Sequence, residues 1–591
     1  MKHFRVTSIL CIALSVMLFA GCATDGVTTD TVTGAEDTLT DAVTVTEADD
    51  TAETDGTASE TGQDGTETAT DPVTETDPAE TTGTETTAAD TTGTESDTAE
   101  TTQEETTAPE TKPAETKPAE TKPAETKPAE TKPAETKPAE TTAEPAQTDA
   151  VTEEVVPEEK ELAICTPGEK RSSFVIVYDK DSANQQKAAA SMLAAVIRNH
   201  TGVSVATAES SKTAAKEIIL SSSQRNETAE MKKGLKDGEY AVRAVRGSGS
   251  GEGKLLIACT TYESAFACAE FLMDNYYDEK TGFRVPFDVD VKGSGINCIL
   301  TESGITKKVR DPFVLVDDGV YYVYGTGWKC FKNTSGKLDG KWKKTDIEVT
   351  LANPDTDGGS HWAPEVHKYN GAYYMFTTYL NSATQHRGCV IFKADSPEGP
   401  FTDITNGHIT PASWDCIDGT FYVDPDGQPW MVFVHEWTSM KDNVGSFAAA
   451  KLSDDLTHFI SEPIELFKAN EPIWAQANIT DGCFMYTTKN GDLLMLWSNF
   501  DAAGYAIGVA RSSNGRLDGE WIHEKDLIYS KYMTNVYDGG HGMIFTGVDG
   551  QMYAAFHSPN TATDDRKEMP VFIALEEKDG RIVRKTSSGT N

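Results

Sequence analysis

Five Asn-Gly or Asp-Gly pairs, each set between apolar runs, limit what this chain can fold into. They are Asp318-Gly319, Asn370-Gly371, Asp426-Gly427, Asn490-Gly491 and Asp549-Gly550, and the runs beside them read VLV and VYYVY, YYMF, WMVFV, LLMLW and MYAAF. Both central residues of a type I′ turn need positive φ, so such a pair between apolar runs marks a hairpin. Successive turn glycines are 52, 56, 64 and 59 residues apart. A period of that size, with several short strands per unit, predicts a mainly β fold, a five-bladed β-propeller over residues 299–591. Six to ten residues before each turn glycine stands one ionisable side chain: Asp311, Glu365, Asp418, Asp481 and His541. At the start of each blade's innermost strand, these five would converge on one end of the central channel, the candidate active site.

The rest of the chain is organised differently. Lys2 and Arg5, an apolar run from Ile9 to Ala20 and the sequence Phe19-Ala20-Gly21-Cys22 describe a secretory signal peptide over residues 1–21. Cys22 after Ala-Gly resembles the lipobox of bacterial lipoproteins, with Cys22 the acylated residue and the membrane a partner through a lipid anchor. Residues 23–160 contain 37 acidic and 7 basic residues and no Phe, Trp or Tyr. That composition cannot bury enough apolar surface to offset ordering entropy, so residues 22–160 are expected to be a disordered spacer. Six copies of Thr-Lys-Pro-Ala-Glu at 111–140 stiffen it toward extended conformations. Because most of the net charge of −42 is local to this segment, the folded part is only mildly acidic, which gives no support for nucleic-acid binding.

Residues 161–298 alternate strand and helix signals. Phe174–Tyr178 reads as a strand, 183–200 as a helix, and further strands fall at 203–206, 217–220, 240–245 and 255–259, before a second helix at 263–277. This small α/β domain carries no catalytic constellation. Its element order resembles the non-catalytic α/β domain that precedes the catalytic domain of family 20 hexosaminidases. The cysteines after Cys22 show no paired metal motif and no small disulfide framework, and read as small buried hydrophobes.

Within the repeat region five pieces follow in order at blade spacing: Arg310-Asp311-Pro312-Phe313, Trp362-Ala363-Pro364-Glu365-Val366, Ile417-Asp418-Gly419, Asp481-Gly482 and Gly540-His541-Gly542. Together they resemble glycoside hydrolase family 43, five-bladed propeller enzymes acting on arabinofuranosides and xylosides. The resemblance implies an inverting glycosidase with an arabinose- or xylose-containing polysaccharide as partner, and the signal peptide and lipobox place it at the cell surface as an expectation. It implies Asp311 as general base, Asp418 as the group that tunes and holds the acid, an acid from the fourth blade, and His541 as ligand of a calcium ion at the propeller centre. A third carboxylate beside the acid raises its pKa by like-charge repulsion, in keeping with that division.

The acid is where the chain departs from the family, which uses Glu followed by Gly-Pro; here Asp481-Gly482-Cys483 stands in its place. Aspartate is one methylene shorter, so Asp481, Glu436 and Glu365 are all candidates. Sugar recognition calls for aromatic faces and fixed polar groups. The candidates are Trp362, Glu365, His435, Glu436, Trp437 and Trp474, whereas Trp342 and Trp521, closing matching GKLDGKW and GRLDGEW stretches, read as packing residues. A non-catalytic glycan-binding propeller and the same mechanism on another sugar, such as a galactofuranoside, remain as alternatives.

Overall fold

The five hairpins are present, but they close in two ways. Asp318-Gly319 and Asn370-Gly371 both have positive φ at each central residue. At Asp426-Gly427, Asn490-Gly491 and Asp549-Gly550 only the glycine is left-handed. There the glycine N–H bonds the carbonyl three residues back, at Asp424, Thr488 and Gly547, closing a three-residue loop. A computed structural model describes residues 159–179, 184–209, 214–221, 224–249, 252–296 and 298–586. The signal peptide, Cys22 and almost all of the expected spacer lie outside the described residues.

Each hairpin supplies the two inner strands of a blade. The innermost strands are Phe313–Asp317, Trp362–Tyr369, Cys416–Val423, Asp481–Thr487 and Gly540–Thr546. Each contacts its counterpart in the next blade, and the fifth contacts the first, so the ring is closed. Closure is also made in the outer strands: Leu300–Glu302 pairs antiparallel with Met569–Lys578, so the fifth blade borrows its outer strand from the start of the domain. Inward-facing residues of adjacent blades interdigitate, as Tyr374 and Phe376 do with Met431 and Phe433. Each such side chain contributes about 1.5–3 kcal/mol on burial. Trp342 and Trp521 are both packing residues, and each donates its indole N–H to the carbonyl of the leucine four positions earlier, Leu338 and Leu517.

Ahead of the ring, a six-stranded mixed sheet runs in the order Ser204–Glu209, Arg171–Tyr178, Lys216–Leu220, Gly253–Cys259, Glu239–Arg246, Asp290–Ser294. Helices Asn184–Thr201, Asn226–Lys232 and Tyr262–Tyr276 pack on it. The short Asn226–Lys232 helix and the strands at Glu161–Cys165, Gly282–Pro286 and Asp290–Ser294 have too few periodic residues to be read from sequence. All eight cysteines among the described residues are free and buried.

This sheet-and-helix layer shares one apolar core with the third, fourth and fifth blades. Polar contacts fix the seam: Tyr262 donates to the Tyr532 carbonyl at 2.7 Å, Lys525 meets Glu279 at 2.6 Å, and Arg584 reaches Glu270. His200 Nε2 lies 3.1 Å from Asp526. Burial alone would lower the His200 pKa, but the hydrogen bond and charge of Asp526 outweigh it and raise it above its ordinary 6.5. A raised folded-state pKa gives stability that is full below the unfolded value and is lost as pH rises through the folded one. Wild-type protein should therefore lose more melting temperature than His200→Gln between about pH 6 and about pH 9. Equal losses in the two proteins would show that the pair contributes nothing to docking.

Candidate active site

The head of every innermost strand carries one residue with positive φ: Asp311 (53°), Ala363 (44°), Asp418 (54°), Gly482 (55°) and His541 (56°). In the second to fifth blades the strand register shifts at this point, so the residue is a bulge that bends the chain into the channel mouth. Asp311, Asp418 and His541 occupy these equivalent places as the spacing predicts. Asp481 and Glu365 do not: the equivalent residues are Gly482 and Ala363. The pre-turn spacing merges bulge position with loop length, which hides offsets of one and two residues. Gly482 is required there, since a Cβ on it would lie 2.8 Å from the His541 Cα.

Three carboxyls nevertheless surround one imidazole. His541 Nδ1 lies 3.5 Å from Asp311 Oδ1, 3.8 Å from Asp418 Oδ2 and 3.9 Å from Asp481 Oδ1. Asp311 accepts from the Thr326 hydroxyl, and its own N–H bonds His557 Nδ1 at 3.2 Å. Asp418 Oδ2 accepts the Gly482 N–H at 2.9 Å. Tyr505 donates to Asp481 at 2.5 Å.

These surroundings give the three carboxyls different proton affinities. Burial would raise Asp311, but the imidazoles of His541 and His557 and the Arg310 guanidinium hold it below the usual carboxylate range. Burial pushes His557 itself down to about 4, so near neutral pH it is uncharged and Arg310 is the permanent cation beside Asp311. Asp418 is pushed up to about 7, chiefly by burial. Asp481 is raised well above the ordinary value by burial and then by the charge of Asp418. Burial raises both, and the interaction between them raises Asp481 and lowers Asp418, so proton binding belongs to the pair and favours Asp481. Asp481 keeps 29% of its side chain exposed, against 13% for Asp311 and 5% for Asp418. Of the three, it is the one most open to an incoming group.

Beside the carboxyls lies a polar and aromatic wall. Trp362 carries the Arg387 guanidinium over its ring at 4.3 Å, and Arg387 Nη1 is 3.8 Å from Glu436. His435 stacks on Trp414 with centroids 3.8 Å apart. Arg387 Nε, His435 Nε2 and Glu436 Oε2 are buried with no hydrogen-bond partner. Burial pushes Glu436 up to about 7, against the pull of Arg387.

The other sequence candidates lie elsewhere. Glu365 lies two residues past Ala363 along its strand and pairs at 2.9 Å with His367, whose ring lies among Phe313, Phe376 and Phe421. Trp437 is half-buried in the turn after Glu436. Trp474 is withdrawn from the sugar-contacting set: it is 2% exposed, and its ring fills the space over Gly508 against Trp497. Sequence reasoning missed Tyr505, Arg387 and Trp414, which arrive from other strands and loops without a repeated motif. It also missed Thr326 and His557, for which a signal exists: each stands seven residues after a turn glycine.

Asp418, Asp481 and His541 each offer one donor atom, all within 4.8 Å of one another. Carboxylate oxygens with one imidazole are a donor set that a hard divalent cation accepts.

Residues 303–572 match the model of the glycosyl hydrolases family 43. The chain is similar to a probable arabinan endo-1,5-alpha-L-arabinosidase B of Aspergillus fumigatus, 27% identical over 147 residues, which are 22% of this chain and 39% of that protein. It is also similar to an extracellular exo-alpha-(1->5)-L-arabinofuranosidase of Cellvibrio japonicus, 27% identical over 164 residues, 25% of this chain and 45% of that one. The chain thus spans less than half the length of these curated relatives. Among solved structures it is similar to an endo-arabinase from Bacteroides thetaiotaomicron, 34% identical, covering 48% of this chain and 99% of that one with a TM-score of 0.42.

Proposed function

We propose that the chain, whose residues 303–572 match the model of the glycosyl hydrolases family 43, hydrolyses α-L-arabinofuranosyl linkages of arabinan with inversion at the anomeric carbon. The observation that carries this reading is the convergence of three carboxyls on His541, at 3.5, 3.8 and 3.9 Å from its Nδ1. An inverting hydrolase needs one ionised carboxylate to take a proton from water and one protonated carboxyl to give a proton to the leaving oxygen. Asp311, kept ionised by the His541 imidazole, the Arg310 guanidinium and the Thr326 hydroxyl, is the base. Asp481, kept protonated by burial and by Asp418, is the acid. Both proton transfers proceed in one displacement, so no bond forms between sugar and protein.

Glu436 is a weaker acid candidate, although it too is raised, because the Arg387 cation beside it favours loss of its proton. Its role is recognition. A buried polar atom without a partner costs about 1–3 kcal/mol, and sugar hydroxyls remove that cost at Arg387 Nε, His435 Nε2 and Glu436 Oε2. Trp362 supplies the aromatic wall. The two curated relatives are named for arabinan or α-1,5-arabinofuranosyl linkages, which supports arabinan ahead of xylan.

His541 would hold a calcium ion, with water completing its shell, and the ion would supply positive charge at the channel centre. Chelation should lower the melting temperature and calcium should restore it; an unchanged value excludes the ion. The chain works at the cell surface, exported by its signal peptide and anchored through acylated Cys22, a reading supported by the Ala-Gly-Cys motif and by the extracellular relative. Cys22→Ala should release it from the membrane, and continued membrane association would remove the anchor.

Reducing-sugar release from arabinan, xylan and aryl glycosides tests the activity. An acid is needed most when the leaving group is poor. Asp481→Asn should therefore lower kcat on arabinan by at least about 10²-fold while sparing aryl arabinofuranosides with good leaving groups. Glu436→Gln should lack that contrast. The contrast appearing in Glu436→Gln instead would move the acid to Glu436, and no wild-type turnover on any substrate would favour a binding propeller.

A further inference from the structure

The left-handed residue at the head of each innermost strand leaves a backbone N–H outside the β-ladder, and buried N–H groups need an acceptor. In four blades the acceptor is the side chain seven residues after the preceding blade's turn glycine. Thr326 accepts from Ala363 at 3.0 Å, Thr378 from Asp418 at 3.0 Å, Ser498 from His541 at 2.8 Å and His557 from Asp311 at 3.2 Å. The corresponding residue of the third blade is Val434, fully buried opposite Ile417 and without an acceptor. The N–H it leaves, that of Gly482, is taken by Asp418 Oδ2.

We infer that Val434 is a positioning residue: by offering no acceptor to Gly482, it makes the Asp418 carboxylate the latch between the third and fourth blades and so fixes that carboxylate against Asp481. The first blade shows what a hydroxyl at this place does, since Thr326 both accepts from the next blade and donates to Asp311. A threonine in place of Val434 would accept the Gly482 N–H and donate to Asp418, drawing Asp418 away from its present bond. The inference rests on the reading of Asp481 as the acid.

The test uses the full chain, an arabino-oligosaccharide and an aryl arabinofuranoside with a good leaving group. Val434→Thr is close in shape to the wild type and differs by one hydroxyl. It should keep its melting temperature within a few degrees and its KM within about twofold. It should lose about tenfold more kcat on the oligosaccharide than on the aryl glycoside, part of the full general-acid contribution. Val434→Ala, which removes packing without adding an acceptor, should show no such selectivity. Val434→Ser carries the same hydroxyl and should reproduce the effect if the threonine variant does not fold. An unchanged substrate ratio in the hydroxyl variants, or the same selective loss in Val434→Ala, overturns the inference while leaving the enzymatic reading intact. A wild type that hydrolyses neither substrate overturns both.

Discussion

The structure depends on satisfying five backbone N–H groups that the β-ladders leave unpaired. A propeller must turn its innermost strands sharply at the channel mouth to aim side chains at one point, and it does so with a left-handed residue in every blade. Each such turn exposes an N–H in a buried place, and leaving it unpaired costs about 1–3 kcal/mol. Bonding it to the neighbouring blade converts that liability into a circular set of ties. The ties also orient the chemistry, because Asp311, Asp418 and His541 are themselves left-handed residues and Asp418 is in addition one of the acceptors.

Burying three carboxyls together is costly unless they differ in charge. Two devices separate them. His541, Arg310 and the Thr326 hydroxyl favour the ionised form of Asp311, whereas burial and the charge of Asp418 raise the proton affinity of Asp481. Like charges that close disfavour joint ionisation, so the geometry that brings Asp481 beside Asp418 also raises its proton affinity. The substitution of aspartate for glutamate fits this arrangement. Asp481 precedes the left-handed Gly482 rather than occupying that place, and its carboxyl reaches both Asp418 and Tyr505 with the shorter side chain.

Much of this was legible in the sequence, for identifiable reasons. The hairpin glycines mark each blade because positive φ is a local requirement, and three of the five site positions follow from their spacing. The one-residue offset of Asp481 was not legible, since three-residue loops and bulges add residues that spacing cannot separate. Trp474 lies near an inner strand in sequence, yet its ring fills the space over Gly508, a contact set by two strands apart in the chain. Arg387 and Tyr505 reach the site from the starts of third strands, where no repeated motif announces them. The column Thr326, Thr378, Val434, Ser498, His557 was available at fixed spacing, but its meaning needs the bulges it serves.

The proposed single displacement, with Asp311 as base and Asp481 as acid, fixes the stereochemistry of the product. The most direct measurement is proton NMR of an arabino-oligosaccharide immediately after mixing with the enzyme, before the released sugar mutarotates. The account predicts that the new reducing end appears first as the β-anomer, opposite to the α-linkage cleaved. First appearance of the α-anomer would contradict it, because retention requires a carboxylate to act as nucleophile rather than base.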